Sequence, residues 1–203
     1  MRMLLAMACV LGLAGVLGGC AGVDQRMTRL TYMPTRAAAQ TTGPLVAVAM
    51  PAEGHGLPRN AGGEPIVADI VGSGGKRKAG VVVVEPIDAW VGNAVTAELR
   101  AAGVNAGLGL DAKEGRPVVK TEITQLKNES KTQWSSVAVT STIRLEFAVE
   151  KGGAKVGGVD AVGTAKVDRA GEFKDVVHDA MEKALRDALV KATPRLVELT
   201  RGG

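Results

Sequence analysis

Val137-Ala138-Val139-Thr140-Ser141-Thr142-Ile143-Arg144-Leu145-Glu146-Phe147-Ala148-Val149 alternates without a slip. In an extended chain Val137, Val139, Ser141, Ile143, Leu145, Phe147 and Val149 share one face. Ala138, Thr140, Thr142, Arg144, Glu146 and Ala148 share the other. A period of two with one apolar and one mostly polar set marks a strand with one face on a core and one in water. Such a strand needs neighbours, and the flanking sequence supplies them. Val118 to Leu126 is a strand candidate upstream. Downstream, Gly152-Gly153 offers the positive φ of a hairpin turn. Lys155 to Val167 then makes a third strand, its glycines suggesting a bulge or bend. The three form an antiparallel meander.

Helices bracket the meander. Ile87, Trp90, Val91, Ala94, Val95 and Leu99 recur at helical spacing, which predicts a helix from about Ile87 to Ala102. Pro86 suits its start, Asp88 its first turn, Arg100 its last turn and Gly103 its stop. After the meander, Phe173, Val176, Val177, Ala180, Met181, Ala184, Leu185, Ala188 and Leu189 form a second apolar stripe. Lys174, Asp175, Asp179, Glu182, Lys183, Arg186 and Asp187 lie opposite it and read as a solvated face. Pro194 is expected to break or bend this helix, with Leu196 to Leu199 adding a turn. Further upstream, Leu45 to Met50, Ile66 to Val71 and Val81 to Val84 read as short strands, with Val104 to Leu110 a further candidate. Ala52 to Glu64 and Gly72 to Lys78 read as loops. The fold expected is α+β, an antiparallel meander packed against two helices.

Composition narrows the function classes. The chain has 46% hydrophobic and 23% charged residues, a globular balance, and a formal net charge of +4. Lys76-Arg77-Lys78 is the longest basic run, and aromatic residues make up only 2%. Neither supports a nucleic-acid partner. The only cysteines are Cys9 and Cys20. No apolar run after the first reaches the roughly 18 residues of a spanning helix.

Candidate chemistry is sparse. Gly72-Ser73-Gly74-Gly75-Lys76 invites comparison with a phosphate loop, but that loop needs glycine where Ile70 stands and Ser or Thr where Arg77 stands. A basic surface loop fits better. His55 sits in a glycine loop, and His178 lies on the last helix between Val177 and Asp179. Neither has a partner at metal-ligand spacing. Ser135 and Ser136 lack a nucleophile-elbow context. Asp179, Glu182, Lys183 and Arg186 fall at helical pair spacings, as on a wet face. Trp90 lies on an apolar stripe and reads as core. Trp134, at a strand end, is a candidate partner contact. No catalytic residue, cofactor or metal ligand is expected.

The amino terminus decides location. Arg2 precedes an apolar run from Leu4 to Leu17, the length of a signal-peptide core, and Leu17-Gly18-Gly19-Cys20 closes it. The segment resembles a bacterial lipoprotein signal with its lipobox; an ordinary secretory signal with an incidental cysteine is the alternative. The resemblance implies a diacylglyceryl thioether on Cys20, cleavage before it and acylation of the new amino terminus. Residues 1–19 are then a signal peptide, 20–43 a lipidated flexible tether and 44–203 a single α+β domain. Ala21, in place of an aspartate after the cysteine, implies by the same resemblance an outer-membrane protein on the periplasmic face.

The stretch Ile87 to Val104 is similar to the helix of YajG-like bacterial lipoproteins. Their pattern is W-V-x-x-A-L-x-x-E-L-x-x-A-G, matched here by Trp90-Val91, Ala94-Val95, Glu98-Leu99 and Ala102-Gly103, with Val95 where leucine is usual. The resemblance runs from Leu45 to the last helix and rests on packing signatures. It implies a non-enzymatic envelope lipoprotein, held to the membrane by the lipid on Cys20. The protein would meet an envelope partner through a sheet edge or helix face, and weak homo-oligomers would be compatible with that. An auxiliary lipoprotein of an ABC-type lipid-transport complex is the alternative, and it would need an apolar groove for an acyl chain. A hydrolase is the remaining class, and no nucleophile–base pair supports it.

Overall fold

The computed structural model describes residues 24–71, 77–109, 115–132 and 135–202. Its elements in chain order are β1 (Gln25–Met27), β2 (Thr42–Val48), β3 (Ala52–Glu53), β4 (Ile66–Val71), β5 (Arg77–Val83), α1 (Ile87–Ala101), β6 (Val104–Leu108), β7 (Val118–Thr132), β8 (Val137–Lys151), β9 (Ala154–Arg169) and α2 (Phe173–Arg201).

The α+β class and the meander are as expected. Antiparallel β7, β8 and β9 pair in register, with Leu145 opposite Ile123 on one side and Ala161 on the other. Val139, Ile143, Leu145, Phe147 and Val149 are buried, while Arg144 and Glu146 are exposed. Gly152 and Gly153 make the β8–β9 turn with φ of 57° and 82°. The meander is part of a larger mixed sheet ordered β6-β2-β7-β8-β9, with β3 alongside β7. Here β2 runs parallel to both β6 and β7, so the sheet is not antiparallel throughout. Parallel pairing depends on α1 carrying the chain back across the face, a long-range relation that strand patterns do not encode.

A second sheet, β1-β5-β4, packs over the far end of β7. It explains why β7 continues past Leu126. Asn128 and Ser130 face inward, where Asn128 Nδ2 donates to the Val67 carbonyl at 2.9 Å and Ser130 Oγ to that of Asp69 at 3.1 Å. These polar side chains hide the inward face of the strand from a hydropathy reading.

α2 lies on β8 and β9, and α1 on β6 and β2, with the helices touching. Ala180, Ala184, Ala188 and Ala192, four apart and all buried, form a smooth row that lets α2 come close to the sheet. Opposite them stands Gly163, where a Cβ would sit 1.9 Å from the Ala184 carbonyl oxygen and 2.5 Å from the Ala188 nitrogen. Pro194 does not break α2; the helix continues to Arg201, and Leu196 to Leu199 lie within it. Leu196 and Thr200 are buried beyond it, and their packing offsets the lost backbone bond. No helix among the described residues is long and apolar enough to cross a membrane.

Part of the segment read as a tether is fastened to the fold. Residues 25–27 pair with β5, Met27 and Leu30 are buried, and the chain as far as Thr35 is bonded to the helices. A polar, aperiodic stretch is ordered here because its partners are side chains of α1 and α2.

Candidate functional site

Between β1 and β2 the chain passes α1 and α2, and from Thr31 to Thr35 it is bonded to both. Successive outward amides meet helix side chains instead of another strand. Thr31 N–H donates to His178 Nε2 at 3.1 Å, Met33 N–H to Glu182 Oε1 at 3.1 Å and Thr35 N–H to Glu98 Oε1 at 2.9 Å. Carbonyls are satisfied in turn. Trp90 Nε1 donates to Thr31 O at 2.9 Å, and Arg186 Nε to Met33 O at 3.2 Å. Just upstream, Leu30 N–H donates to Glu85 Oε2 at 2.7 Å. The two helices thus act as a polar counter-strand for this strap.

Glu98 is the centre of the arrangement. It is 4% exposed, a burial that a carboxylate tolerates only with hydrogen bonds to its oxygens. Besides Thr35 N–H, it accepts from the Tyr32 hydroxyl at 2.6 Å and from Thr35 Oγ1 at 3.0 Å. Burial pushes the Tyr32 phenol well above its ordinary pKa, and the Glu98 hydrogen bond and charge push it the same way. Tyr32 is therefore a fixed proton donor across the physiological range. Glu98 also lines a cavity of about 300 Å³ with Thr35, Ala101, Val190, Pro194 and Val197.

The strap changes how several residues read. Trp90 is core, 2% exposed, but its ring nitrogen also holds the strap. His178 is at the helix edge, as expected, with Nε2 accepting from Thr31, so the ring proton is assigned to Nδ1. Glu182 and Arg186 do not belong to a merely solvated face. They pair at 2.6 Å and grip both backbone groups of Met33. Glu98 was legible only as part of a packing pattern. Its spacing, seven residues after Val91 on the apolar stripe, was the available signal: a carboxylate on a core stripe needs a buried partner.

His55 lies apart from this site. Its Nδ1 accepts from Leu57 N–H at 3.3 Å, and its Nε2 is buried with no protein partner. Burial lowers its pKa, Glu53 and Asp88 oppose that shift, and Arg59 adds to it. Ser135 is exposed at the start of β8, far from either histidine in sequence. Cys20, Gly72 to Lys76 and Trp134 lie outside the described residues. Among the described residues, no group of three or more His, Cys, Asp or Glu side chains is placed to hold a metal ion.

A partner contact through the sheet edge meets an obstacle at β9. Thr164 N–H donates to Asp187 Oδ2 at 3.1 Å, and Lys191 Nζ donates to the Val162 carbonyl at 2.9 Å. Asp187 and Lys191 pair at 2.7 Å. Burial raises the Asp187 pKa, but the Lys191 and Thr164 hydrogen bonds outweigh it and hold the carboxyl below its ordinary range. The middle of this edge is thus closed to an added strand.

No protein-family model matches this sequence, and no curated protein matches it. Several solved structures resemble the fold. A Xanthomonas campestris protein of the family DUF330 is 13% identical, over 88% of this chain and 95% of its own, with a TM-score of 0.49. A Helicobacter pylori homolog of neuraminyllactose-binding hemagglutinin is 13% identical, over 83% and 92%, with a TM-score of 0.42. PelC from Paraburkholderia phytofirmans, a dodecamer, is 16% identical, over 79% and 95%, with a TM-score of 0.37. These likenesses assign neither an activity nor a partner to this chain.

Proposed function

We propose that the chain is a non-enzymatic bacterial envelope lipoprotein, anchored through Cys20 to the outer membrane on its periplasmic face and acting as a structural or assembly partner. The observation that carries this reading is Leu17-Gly18-Gly19-Cys20 closing an apolar run too short to span a bilayer. The strap supports it, because an anchor only a few residues upstream of β1 would act on a segment fastened to both helices. Several acyl chains on one cysteine hold stably where a single chain holds marginally. The alternative role, in lipid transport, draws less support. The cavity beside Thr35 mixes apolar Ala101, Val190, Pro194 and Val197 with polar Thr35, Arg36, Glu98 and Thr193, whereas an acyl chain calls for a continuous apolar wall.

Cell fractionation with Cys20→Ala tests the proposal. The variant is expected to leave the membrane pellet while the wild type stays with outer-membrane markers. A variant retained in the membrane would overturn the lipid anchor, and a wild type found with inner-membrane markers would overturn the location.

A further inference from the structure

One end of the domain is defined by where the chain enters it. Gly80 N–H donates to Asp24 Oδ1 at 2.7 Å, and Gln25 is level with Val81. The chain therefore joins the fold beside the middle of β5, running parallel to it and entering from the side of Arg77. Asp69 pairs with Gly80 and Val71 with Arg77, so β4 ends and β5 begins at this same end. The bonds from Asn128 to Val67 and from Ser130 to Asp69 step along β4 toward this end, and two residues further on in β7 Thr132 is paired with Val137, itself paired with Arg169. Lys174 N–H donates to Gln25 Oε1 at 3.1 Å and adds the first turn of α2. The β8–β9 turn lies at the opposite end, where Lys151 Nζ donates to the Gly202 carbonyl at 2.7 Å. Between the two ends run the 15 residues of β8, roughly 50 Å of strand.

We infer that the end bearing Asp24, Val71 and Arg77 rests on the phospholipid headgroups of the membrane that holds Cys20. This rests on the lipid-anchor reading above. Four peptide steps from Cys20 to Asp24 reach at most about 14 Å, whatever their conformation. Because β1 is paired into a sheet, that limit ties the sheet itself, and not a loose arm, to the anchor. Covalent closeness of this kind gives a high effective concentration, so individually weak contacts suffice. The surface suits them. Val71 is 42% exposed, and Arg77, Lys78 and Lys131 are exposed cations able to meet phosphate oxygens. Arg77 also pairs with Asp69 at 2.5 Å and lies 3.4 Å from Asp24, so the end is mixed in charge rather than strongly basic. The tether, more than the electrostatics, then sets the orientation.

Single-cysteine labelling reads this directly, because Cys9 would leave with the signal and Cys20 would be blocked by its thioether. The full lipidated chain carrying Val71→Cys or Ala154→Cys is labelled with a donor fluorophore. It is then reconstituted into phosphatidylethanolamine–phosphatidylglycerol vesicles bearing a headgroup acceptor. Both sites are exposed, so either variant folds. Energy transfer from position 71 is expected to exceed that from position 154 several-fold. Equal transfer from the two sites, with the protein on the vesicles, would overturn the orientation and leave the anchor standing. Protein that does not float with the vesicles would overturn both.

Discussion

The Tyr32 hydroxyl donates to Glu98 Oε1 at 2.6 Å, joining the segment between β1 and β2 to the first helix. The bond is buried at its acceptor end, and Thr35 completes the carboxylate's shell with two more. A buried carboxylate whose partners all come from one strap makes that strap part of the folded state.

Glu98→Ala should therefore release the strap. It leaves the Tyr32 hydroxyl and the Thr35 amide without an acceptor, at a cost of about 1–3 kcal/mol. Tyr32→Phe should cost less, since Glu98 keeps both Thr35 bonds. Urea unfolding gives the order, and limited proteolysis between residues 29 and 40 should accelerate in the same order. Both variants matching the wild type in both measurements would mean the node carries no weight.

Gly163→Ala tests the packing of α2. The added methyl would meet helix backbone at 1.9 Å and 2.5 Å, which no rotamer change can relieve. The helix must lift from β9, at about 3 kcal/mol or more. Val162→Thr, one residue away and 37% exposed, should change the melting temperature little. A wild-type melting temperature for Gly163→Ala would contradict the close approach.

His55 sets an acid limit. Its folded-state pKa is lowered by burial from the ordinary value of about 6.5. Between those two values the unfolded chain binds the extra proton, so this contribution is present above pH 6.5 and lost as the pH falls through the folded value. Melting temperatures at pH 7.5 and 5 should therefore differ less for His55→Gln than for the wild type. An unchanged difference would place the acid sensitivity elsewhere.

Much of this fold was legible because its signals are local. The alternation from Val137 to Val149 gave β8 and its faces, Gly152-Gly153 gave the turn, and the stripe from Ile87 to Leu99 gave α1. What escaped was long-range or polar. Asn128 and Ser130 point inward to the carbonyls of β4, so the second half of β7 does not look like a strand with a buried face. Residues 31–35 have no periodicity because the amides of Thr31, Met33 and Thr35 are satisfied by His178, Glu182 and Glu98, the first two of them about 150 positions away. Glu182 and Arg186 looked like an ordinary i,i+4 surface pair, and nothing in their spacing reveals the backbone of Met33 between them. Glu98 was the one readable exception, a carboxylate on an apolar stripe.

Hydrogen exchange at four amides tests most directly whether the segment between β1 and β2 is built into the domain. Leu30, Thr31, Met33 and Thr35 each donate to a helix or loop side chain, at 2.7, 3.1, 3.1 and 2.9 Å. In the wild type these amides should be protected to a degree approaching the core strands, and Glu98→Ala should strip that protection from Thr35 first. Exchange at the rate of an unstructured peptide in the folded wild-type protein would show that the strap is a free tether, and would contradict the account.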